Sequence, residues 1–197
     1  MYQISPTFLD SFAYYIAKED GEQERAELLA RLRGEPTEIS ESMQRGIDFE
    51  TAVGKFRDGT YEMVPGQESY DSCVMEISRL VAGGIPQMHV ERELGGVLVH
   101  GYIDFLNANW IYDIKTTKSY EVGKYLQRNQ HLAYLYCLEP CDIRHFGYLV
   151  TDFRNVYAED YHWHPSFTDR LRGNIAAFFD YLEVDKEMRE AFEAKNA

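Results

Sequence analysis

Cysteine, long apolar runs and a secretion leader are scarce or absent in this chain. Its three cysteines, Cys73, Cys137 and Cys141, cannot all pair with one another, and none belongs to a C-x-x-C site, so neither a disulfide framework nor a zinc site is expected. No stretch approaches the roughly 18 apolar residues of a membrane helix, and the N-terminus has no basic region followed by an apolar one. We therefore expect a cytoplasmic protein that does not enter a membrane.

Basic residues are also in deficit, since 20 lysines and arginines face 33 aspartates and glutamates and leave a formal net charge of −13. Proteins that hold nucleic acid mainly by neutralising phosphates are usually basic, so this balance counts against such a protein. The deficit is uneven along the chain. Residues 180–193 are strongly acidic, which indicates solubility or a partner contact, whereas residues 115–128 carry four basic side chains and one acidic one.

Apolar residues, in contrast, are ample: 45% of the 197 residues are hydrophobic and 14% are aromatic, which is enough for a sizeable core. Ser5 and Pro6 are typical of a helix start, and further helices are predicted at about 40–56 and 68–82. We predict an α/β protein with a single domain over 1–197. Its parts are a helical N-terminal part at about 1–84, a catalytic sheet and helix at about 85–164, and a C-terminal helix at about 166–194.

Strand patterns begin after residue 84. Gly95 and Gly96 separate two such runs, at 87–94 and 97–106, which predicts a tight hairpin. A third strand contains Asp113. The remaining predicted elements are a helix at about 119–138 and strands at 144–150 and 155–163.

Two acids and a lysine lie on adjoining strands of this pattern, because Asp104 ends a Gly-Tyr-Ile-Asp tetrapeptide and Asp113 and Lys115 follow in the next strand. Carboxylate oxygens are the ligands that Mg²⁺ prefers, and divalent ions activate water for phosphodiester cleavage. An ammonium group beside them can orient that water or stabilise the pentacoordinate phosphate. The pattern therefore favours a metal-dependent nuclease. The alternative is that the Asp-Ile-Lys tripeptide is only a solvated strand edge.

The strand register supports the nuclease interpretation. A two-residue loop at 108–109 would put Asp104 opposite Asp113, and Lys115 would share the side-chain parity of Asp113. The same register places Ile103 opposite Ile114 and Phe105 opposite Tyr112. It therefore predicts one apolar face toward the core and one face that carries the two acids and the lysine.

Two helical side chains are candidates to join this group. Glu50 lies on an otherwise apolar stripe of its helix, where a carboxylate is costly unless it is paired or metal-bound; a salt bridge to an arginine is the alternative. Gln130 lies on a mostly apolar helix face, where a structural hydrogen bond competes with a substrate role. The neighbours are Met43, Ile47 and Gly54 for Glu50, and Leu126, Ala133, Tyr134 and Cys137 for Gln130.

In their order along the chain, these segments resemble the PD-(D/E)XK nuclease superfamily, especially its exonuclease branch, typified by lambda exonuclease and the RecB nuclease domain. The family has an acidic or histidine-bearing helix, a G-x-I-D strand, a (D/E)-x-K strand and a helix with Q-x-x-x-Y. This chain has, in the same order, residues 45–53, 101–104, 113–115 and 130–134. The resemblance implies a restriction-endonuclease-like core, in which a central mixed β-sheet is flanked by helices.

The resemblance also implies roles for single residues. Glu50, Asp104 and Asp113 would be metal ligands, the Ile114 carbonyl would add another oxygen, and Lys115 would be the catalytic lysine. No histidine lies between residues 40 and 56, so the first helix would contribute Glu50 alone. The implied cofactor is Mg²⁺ or Mn²⁺. The iron-sulfur cluster of some relatives needs four cysteines and is not expected here.

Substrate contacts are implied for Gln130 and Tyr134, which in the family lie beside the site and position substrate or active-site groups. Lys118 and Lys124 belong to the basic segment that follows the motif, and we predict that they form a local patch for the substrate. An ordinary solvated helix face is the alternative for that patch.

The implied function is hydrolysis of DNA by an exonuclease, as in phage recombination or repair. A restriction-type endonuclease is an alternative, and so is a catalytically silent nuclease fold that serves as a binding or scaffold subunit. Some relatives form rings around DNA, so a homo-oligomer is possible, as is a recombinase or helicase partner. The motifs leave polarity, strand preference and metal preference open.

Overall fold

The computed structural model describes residues 1–36 and 39–197 and contains a six-stranded sheet packed against helices. The strands are β1 (Tyr2–Ile4), β2 (Ile85–Leu94), β3 (Val97–Asn107), β4 (Trp110–Thr116), β5 (His145–Thr151) and β6 (Val156–His162). The helices are α1 (Pro6–Ile16), α2 (Glu22–Arg33), α3 (Glu41–Arg57), α4 (Glu68–Leu80), α5 (Asn129–Leu138), α6 (Pro165–Val184) and α7 (Lys186–Lys195). The predicted α/β class is confirmed.

The sheet is mixed, because β1 with β3 and β4 with β5 are parallel pairs and the other pairs are antiparallel. Two core clusters cover its two faces. The larger one joins α1, α2, α5, α6 and α7 to one face, and the smaller one joins α3 and α4 to the other. The predicted central mixed sheet flanked by helices is therefore confirmed.

The two edges of β3 are paired differently. β2 runs antiparallel along nearly the whole of one edge. The other edge is shared, since β1 pairs with residues 97–99 and β4 with residues 105–107. Residues 100–104 consequently have no strand partner on that edge within the described chain, and the sheet opens there.

Several elements form where local signals place them. Ser5 caps α1 by accepting a hydrogen bond from the Phe8 amide, with Pro6 in the first turn. Gly95 and Gly96 form the predicted β2–β3 turn with φ values of 62° and 86°, a region that glycine adopts without strain. No helix in the part of the chain that the structure describes is long and apolar enough to cross a membrane.

Three predictions of secondary structure were wrong or incomplete. The helix expected from about residue 119 begins only at Asn129, because Glu159 accepts hydrogen bonds from the Tyr120 hydroxyl and the Tyr125 amide and holds the preceding segment in turns. The single C-terminal helix is two helices, divided where Asp185 is extended and caps α7. The short strand β1 was not predicted, because its three residues form a strand through pairing with β3 and not through a local sequence pattern.

Candidate active site

The β3–β4 hairpin forms the floor of the candidate site. Its register is the predicted one where the strands pair, with Phe105 opposite Tyr112. Beyond that pair the strands separate, and the Asp104 Oδ2 atom accepts a hydrogen bond of 2.8 Å from the Ile114 amide. The carboxylate thus takes the place of a backbone acceptor, and this contact anchors Asp104 at the opening in the sheet.

The prediction that Ile103, Phe105, Tyr112 and Ile114 share one apolar face is wrong for Ile103. Ile103 packs in the larger cluster with α5, whereas Phe105 and Ile114 pack in the smaller cluster with α3 and α4. The alternation of β3 therefore reverses at Asp104, where the pairing with β4 has ended and the ladder with β2 skips the pair of Gln87 and Asp104. The reversal matters because Asp104 interacts electrostatically with Asp113 and also with Glu50 on α3.

Asp113 is buried, with 2% of its surface exposed, and is held from two directions. The Gln130 side chain donates a hydrogen bond of 2.9 Å to Oδ1, and the Lys115 ammonium contacts Oδ2. Within the described chain, Oδ2 accepts no hydrogen bond of good geometry. Gln130 thus contacts the candidate site itself through Oδ1 of Asp113, and the other oxygen, Oδ2, faces the Lys115 ammonium.

The position of Gln130 depends on residues that the sequence did not single out. Asn129, the first residue of α5, donates two hydrogen bonds, of 2.7 and 2.9 Å, to Oδ1 of the buried Asp10 in α1. Burial raises the pKa of Asp10, and the bonds from Asn129 oppose that effect. Tyr148 on β5 lies beneath the Lys115 ammonium, 5.9 Å from the ring centre. These partners are distant in sequence, so no local pattern could reveal them.

Glu50 lies on α3, but the apolar stripe to which the sequence assigned it is not buried. Met43 and Ile47, its expected neighbours on an apolar face, are 56% and 47% exposed. The buried residues of α3 are Phe49, Ala52 and Val53. Glu50 is therefore at the exposed edge of the helix, next to the face that packs on the sheet. Within the described chain it forms no salt bridge to an arginine, the alternative that burial would have required.

The charges of the site are coupled. The pKa of Asp104 is raised to about 8, first by burial and then by the negative charges of Asp113 and Glu50. The pKa of Glu50 is raised by loss of hydration and by Asp113. Burial alone would lower the pKa of Lys115, but the three carboxylates outweigh it and raise the pKa. Three acids near one ammonium leave an excess of negative charge that another cation would relieve.

The donor set suits a hard divalent cation, because carboxylate oxygens are the ligands that Mg²⁺ and Mn²⁺ prefer. In the described chain, however, no three His, Cys, Asp or Glu side chains are already grouped as metal ligands. The reason lies in the contacts above: Asp113 is held by Lys115, Asp104 by the Ile114 amide, and Glu50 points from an exposed helix edge. The buried, poorly satisfied Oδ2 of Asp113 is the atom that most fits a cation.

Tyr134 on α5 packs directly on the backbone of Gly101. A Cβ atom added at Gly101 would lie 2.8 Å from Cε1 and 2.9 Å from the hydroxyl of Tyr134. Glycine in the Gly-Tyr-Ile-Asp strand is therefore required by the tyrosine of the later helix. Two of the sequence motifs are in contact, and Tyr134 supports β3, the strand that carries Asp104.

We expect Gly101→Ala to destabilise the fold by about 1–3 kcal/mol, because the new methyl group overpacks against Tyr134. Urea unfolding would measure the change. Gly54→Ala is the matched control, since a Cβ there meets nothing within 4 Å and the residue is helical, so stability should be unchanged or improved. Adding Tyr134→Ala to Gly101→Ala should remove the penalty of the methyl group itself; an unchanged penalty would contradict the packing argument.

The predicted basic patch is only partly assembled. Lys115, Lys124 and Arg128 line a cavity of about 520 Å³ beside the site, together with Arg31 of α2. Three acids, Asp10, Glu24 and Glu27, line the same cavity. Lys124 donates hydrogen bonds to its own loop, and Lys118 is exposed outside the lining. The cavity is therefore of mixed charge, because α1 and α2 contribute acids that the local sequence of residues 115–128 does not contain.

Comparison with known proteins places this fold. No family model matches the sequence, and no curated protein is significantly similar to it. Among solved structures, a presumed exonuclease from Eubacterium rectale is 11% identical, with a TM-score of 0.62 over 98% of this chain and 82% of that one. The alkaline exonuclease LHK-Exo from Laribacter hongkongensis is 14% identical, with a TM-score of 0.51 over 99% of this chain and 95% of that one. This chain therefore shares the α/β fold of these two structures, a mixed sheet flanked by helices as the sequence motifs implied.

Proposed function

We propose that this protein is a metal-dependent nuclease that hydrolyses DNA phosphodiester bonds. The observation that carries the proposal is the meeting of Asp104, Asp113 and Lys115 at an opening in the sheet, with Glu50 coupled to them electrostatically. Solved structures of similar fold are described as exonucleases, which supports the same reaction class.

Glu50, Asp104, Asp113 and the Ile114 carbonyl would hold Mg²⁺ or Mn²⁺. When bound, the ion supplies an activated water and neutralises charge that develops on the phosphate. Oδ2 of Asp113, which contacts the Lys115 ammonium, would be one of the metal ligands. The Lys115 ammonium beside it would contact the phosphate or the attacking water.

The remaining candidates position these groups. Gln130 holds Asp113 through its amide and thereby sets the direction of the carboxylate. Tyr134 supports the backbone of Gly101 on the strand that carries Asp104. Lys118 and Lys124, on the loop that follows Lys115, would meet the phosphates of DNA beyond the cleaved bond.

Within this class we favour an exonuclease that acts on DNA ends in recombination or repair. The support is the order of the four motifs and the likeness in fold to two exonuclease structures, of which this chain covers 82% and 95%. A second structure of LHK-Exo, in complex with dAMP, aligns with this chain at 17% identity and a TM-score of 0.51.

The test uses end-labelled linear duplex DNA and a closed circular plasmid, each incubated with the protein and Mg²⁺ or Mn²⁺, and with EDTA as the metal-free control. An exonuclease degrades the linear DNA and leaves the circle intact. Cleavage of the circle would show that the protein is an endonuclease and not an exonuclease. If neither DNA, single-stranded DNA nor RNA is cleaved, and calorimetry detects no Mn²⁺ binding, the nuclease proposal is wrong and a silent scaffold takes its place.

A further inference from the structure

At the edge of the acidic site, an arginine is stacked against a platform of aromatic side chains. The guanidinium carbon of Arg45, on the exposed side of α3, lies 4.5 Å from the ring centre of Phe153. Phe153 stacks on Tyr70 at 5.9 Å with an interplanar angle of 12° and meets Phe49 edge-on at 5.8 Å. The platform therefore consists of Phe49, Tyr70 and Phe153, and it fixes the plane of the guanidinium.

The platform is built at a backbone cost. Phe153 has φ of 67°, a left-handed conformation that is unfavourable for a bulky side chain. Its amide donates a hydrogen bond of 2.9 Å to the Thr151 hydroxyl, which holds the loop in this form. Glycine would adopt the same turn without strain, so the turn itself does not require phenylalanine. The contacts of the ring with Arg45, Tyr70 and Phe49 account for the phenylalanine.

The platform lies at the same end of the sheet as the candidate site. Thr151, two residues before Phe153, pairs with Thr116, the residue that follows Lys115. On α3, a Cβ at Gly46 would lie 3.3 Å from the Thr116 hydroxyl, so the helix touches the strand at that point. Arg45 is the neighbour of Gly46. Arg45 is consequently on the turn of α3 that touches the strand immediately after Lys115.

The hydrogen-bond donors of Arg45 have no acceptor in the described chain, whereas Arg25, Arg92 and Arg144 each pair with a carboxylate. The nearby Asp48 accepts a hydrogen bond from Gln44 and forms no salt bridge with Arg45 there. Three arginines of the described chain stack on aromatic rings; Arg57 donates to the Gly84 carbonyl and Arg92 pairs with Glu139, so Arg45 is the stacked arginine without an acceptor there. It is pre-arranged for an anion that comes from outside the chain.

We propose that Arg45 is a substrate-binding residue that holds a backbone phosphate of the nucleic acid next to the cleaved bond, with Phe153 as the platform that orients it. This inference rests on the proposed nuclease function, because that function supplies the anion. A planar guanidinium offers paired donors to two phosphate oxygens, which a lysine ammonium cannot do. Stacking lowers the entropy that Arg45 loses on binding, so a single contact at the mouth of an acidic site becomes effective.

The experiment measures binding of labelled duplex DNA by fluorescence anisotropy at several salt concentrations, with Ca²⁺ in place of Mg²⁺ to prevent cleavage. Arg45→Ala should weaken binding about tenfold and reduce the slope of log Kd against log salt by about 1. Arg45→Lys should keep that slope and lose part of the affinity, and Phe153→Leu should behave in the same way. Arg189→Ala on α7 removes an equal charge from a half-buried side chain that pairs with Glu183, and should change neither quantity.

Steady-state cleavage provides the second measurement. Arg45→Ala should raise KM for DNA and leave kcat within about threefold, because the contact is made equally before and during the reaction. If the wild type cleaves DNA and Arg45→Ala keeps its affinity, salt slope and KM, the role of Arg45 is wrong while the nuclease proposal stands. If the wild type neither binds nor cleaves nucleic acid, the proposed function itself has failed.

Discussion

Replacing Lys115 with alanine is expected to lower the rate of DNA cleavage by about 10²–10³-fold, the usual effect of removing one pre-arranged group that stabilises charge in a transition state. The neighbouring carboxylates hold the ammonium charged, and its contact with Asp113 sets its position. Single-turnover cleavage of end-labelled duplex DNA at saturating protein measures the chemical step. The loss should appear in that rate, with a much smaller change in DNA affinity.

Stability must be measured for the same variant, because Lys115→Ala leaves the buried Asp113 without its cation. We expect a lower unfolding temperature without metal and a recovery with Mn²⁺, which would occupy the same acidic cluster. Lys186→Ala is the control, since the side chain of Lys186 is 77% exposed and pairs with the exposed Glu190. Wild-type cleavage rates in a folded Lys115→Ala protein would remove Lys115 from the mechanism.

Replacing Asp104 with asparagine is expected to abolish cleavage and yet stabilise the metal-free protein at alkaline pH. The folded-state pKa of Asp104 is about 8, above its ordinary value of 3.8, because of burial and the charges of Asp113 and Glu50. A carboxyl group whose pKa is raised on folding binds its proton more tightly in the folded state. Its ionisation therefore costs stability progressively as the pH rises from about 4 to about 8.

Asparagine has a similar shape, keeps an oxygen for the Ile114 amide and carries no charge. At pH 8 to 9, Asp104→Asn should be more stable than the wild type by at least about 1 kcal/mol, and the two should converge near pH 4. Mn²⁺ should raise the unfolding temperature of the wild type and have little effect on the variant. Thermal unfolding across this pH range tests both statements. A variant that is less stable at pH 8 and still binds Mn²⁺ would show that Asp104 is neither electrostatically strained nor a ligand.

The elements that the sequence predicted well are those with local causes. The β2–β3 turn follows from two adjacent glycines, and the start of α1 from Ser5 and Pro6. The pairing of Phe105 with Tyr112 follows from the length of the loop between them. Each of these depends on residues a few positions apart, so a pattern in the sequence is sufficient.

The expectations that failed depend on distant partners. Ile103 and Phe105 face opposite sides of the sheet because Asp104 between them is paired with neither β4 nor β2, and the sequence pattern does not reveal that gap. The segment before Asn129 is not helical because Glu159, on β6, accepts hydrogen bonds from the Tyr120 hydroxyl and the Tyr125 amide. Met43 and Ile47 are exposed because α3 packs through a different face.

By itself, the sequence determined the chemistry available to this protein: which acids, which lysine, and the order in which strands and helices present them. That follows from covalent order and short-range periodicity, which need no knowledge of the fold. Only the tertiary structure decided that the sheet opens at Asp104, that Gln130 reaches Asp113, that Glu50 lies at an exposed edge, and that Arg45 stacks on Phe153 without a carboxylate partner in the described chain. Burial and charge coupling arise between residues far apart in the chain, so they exist only once the chain has folded.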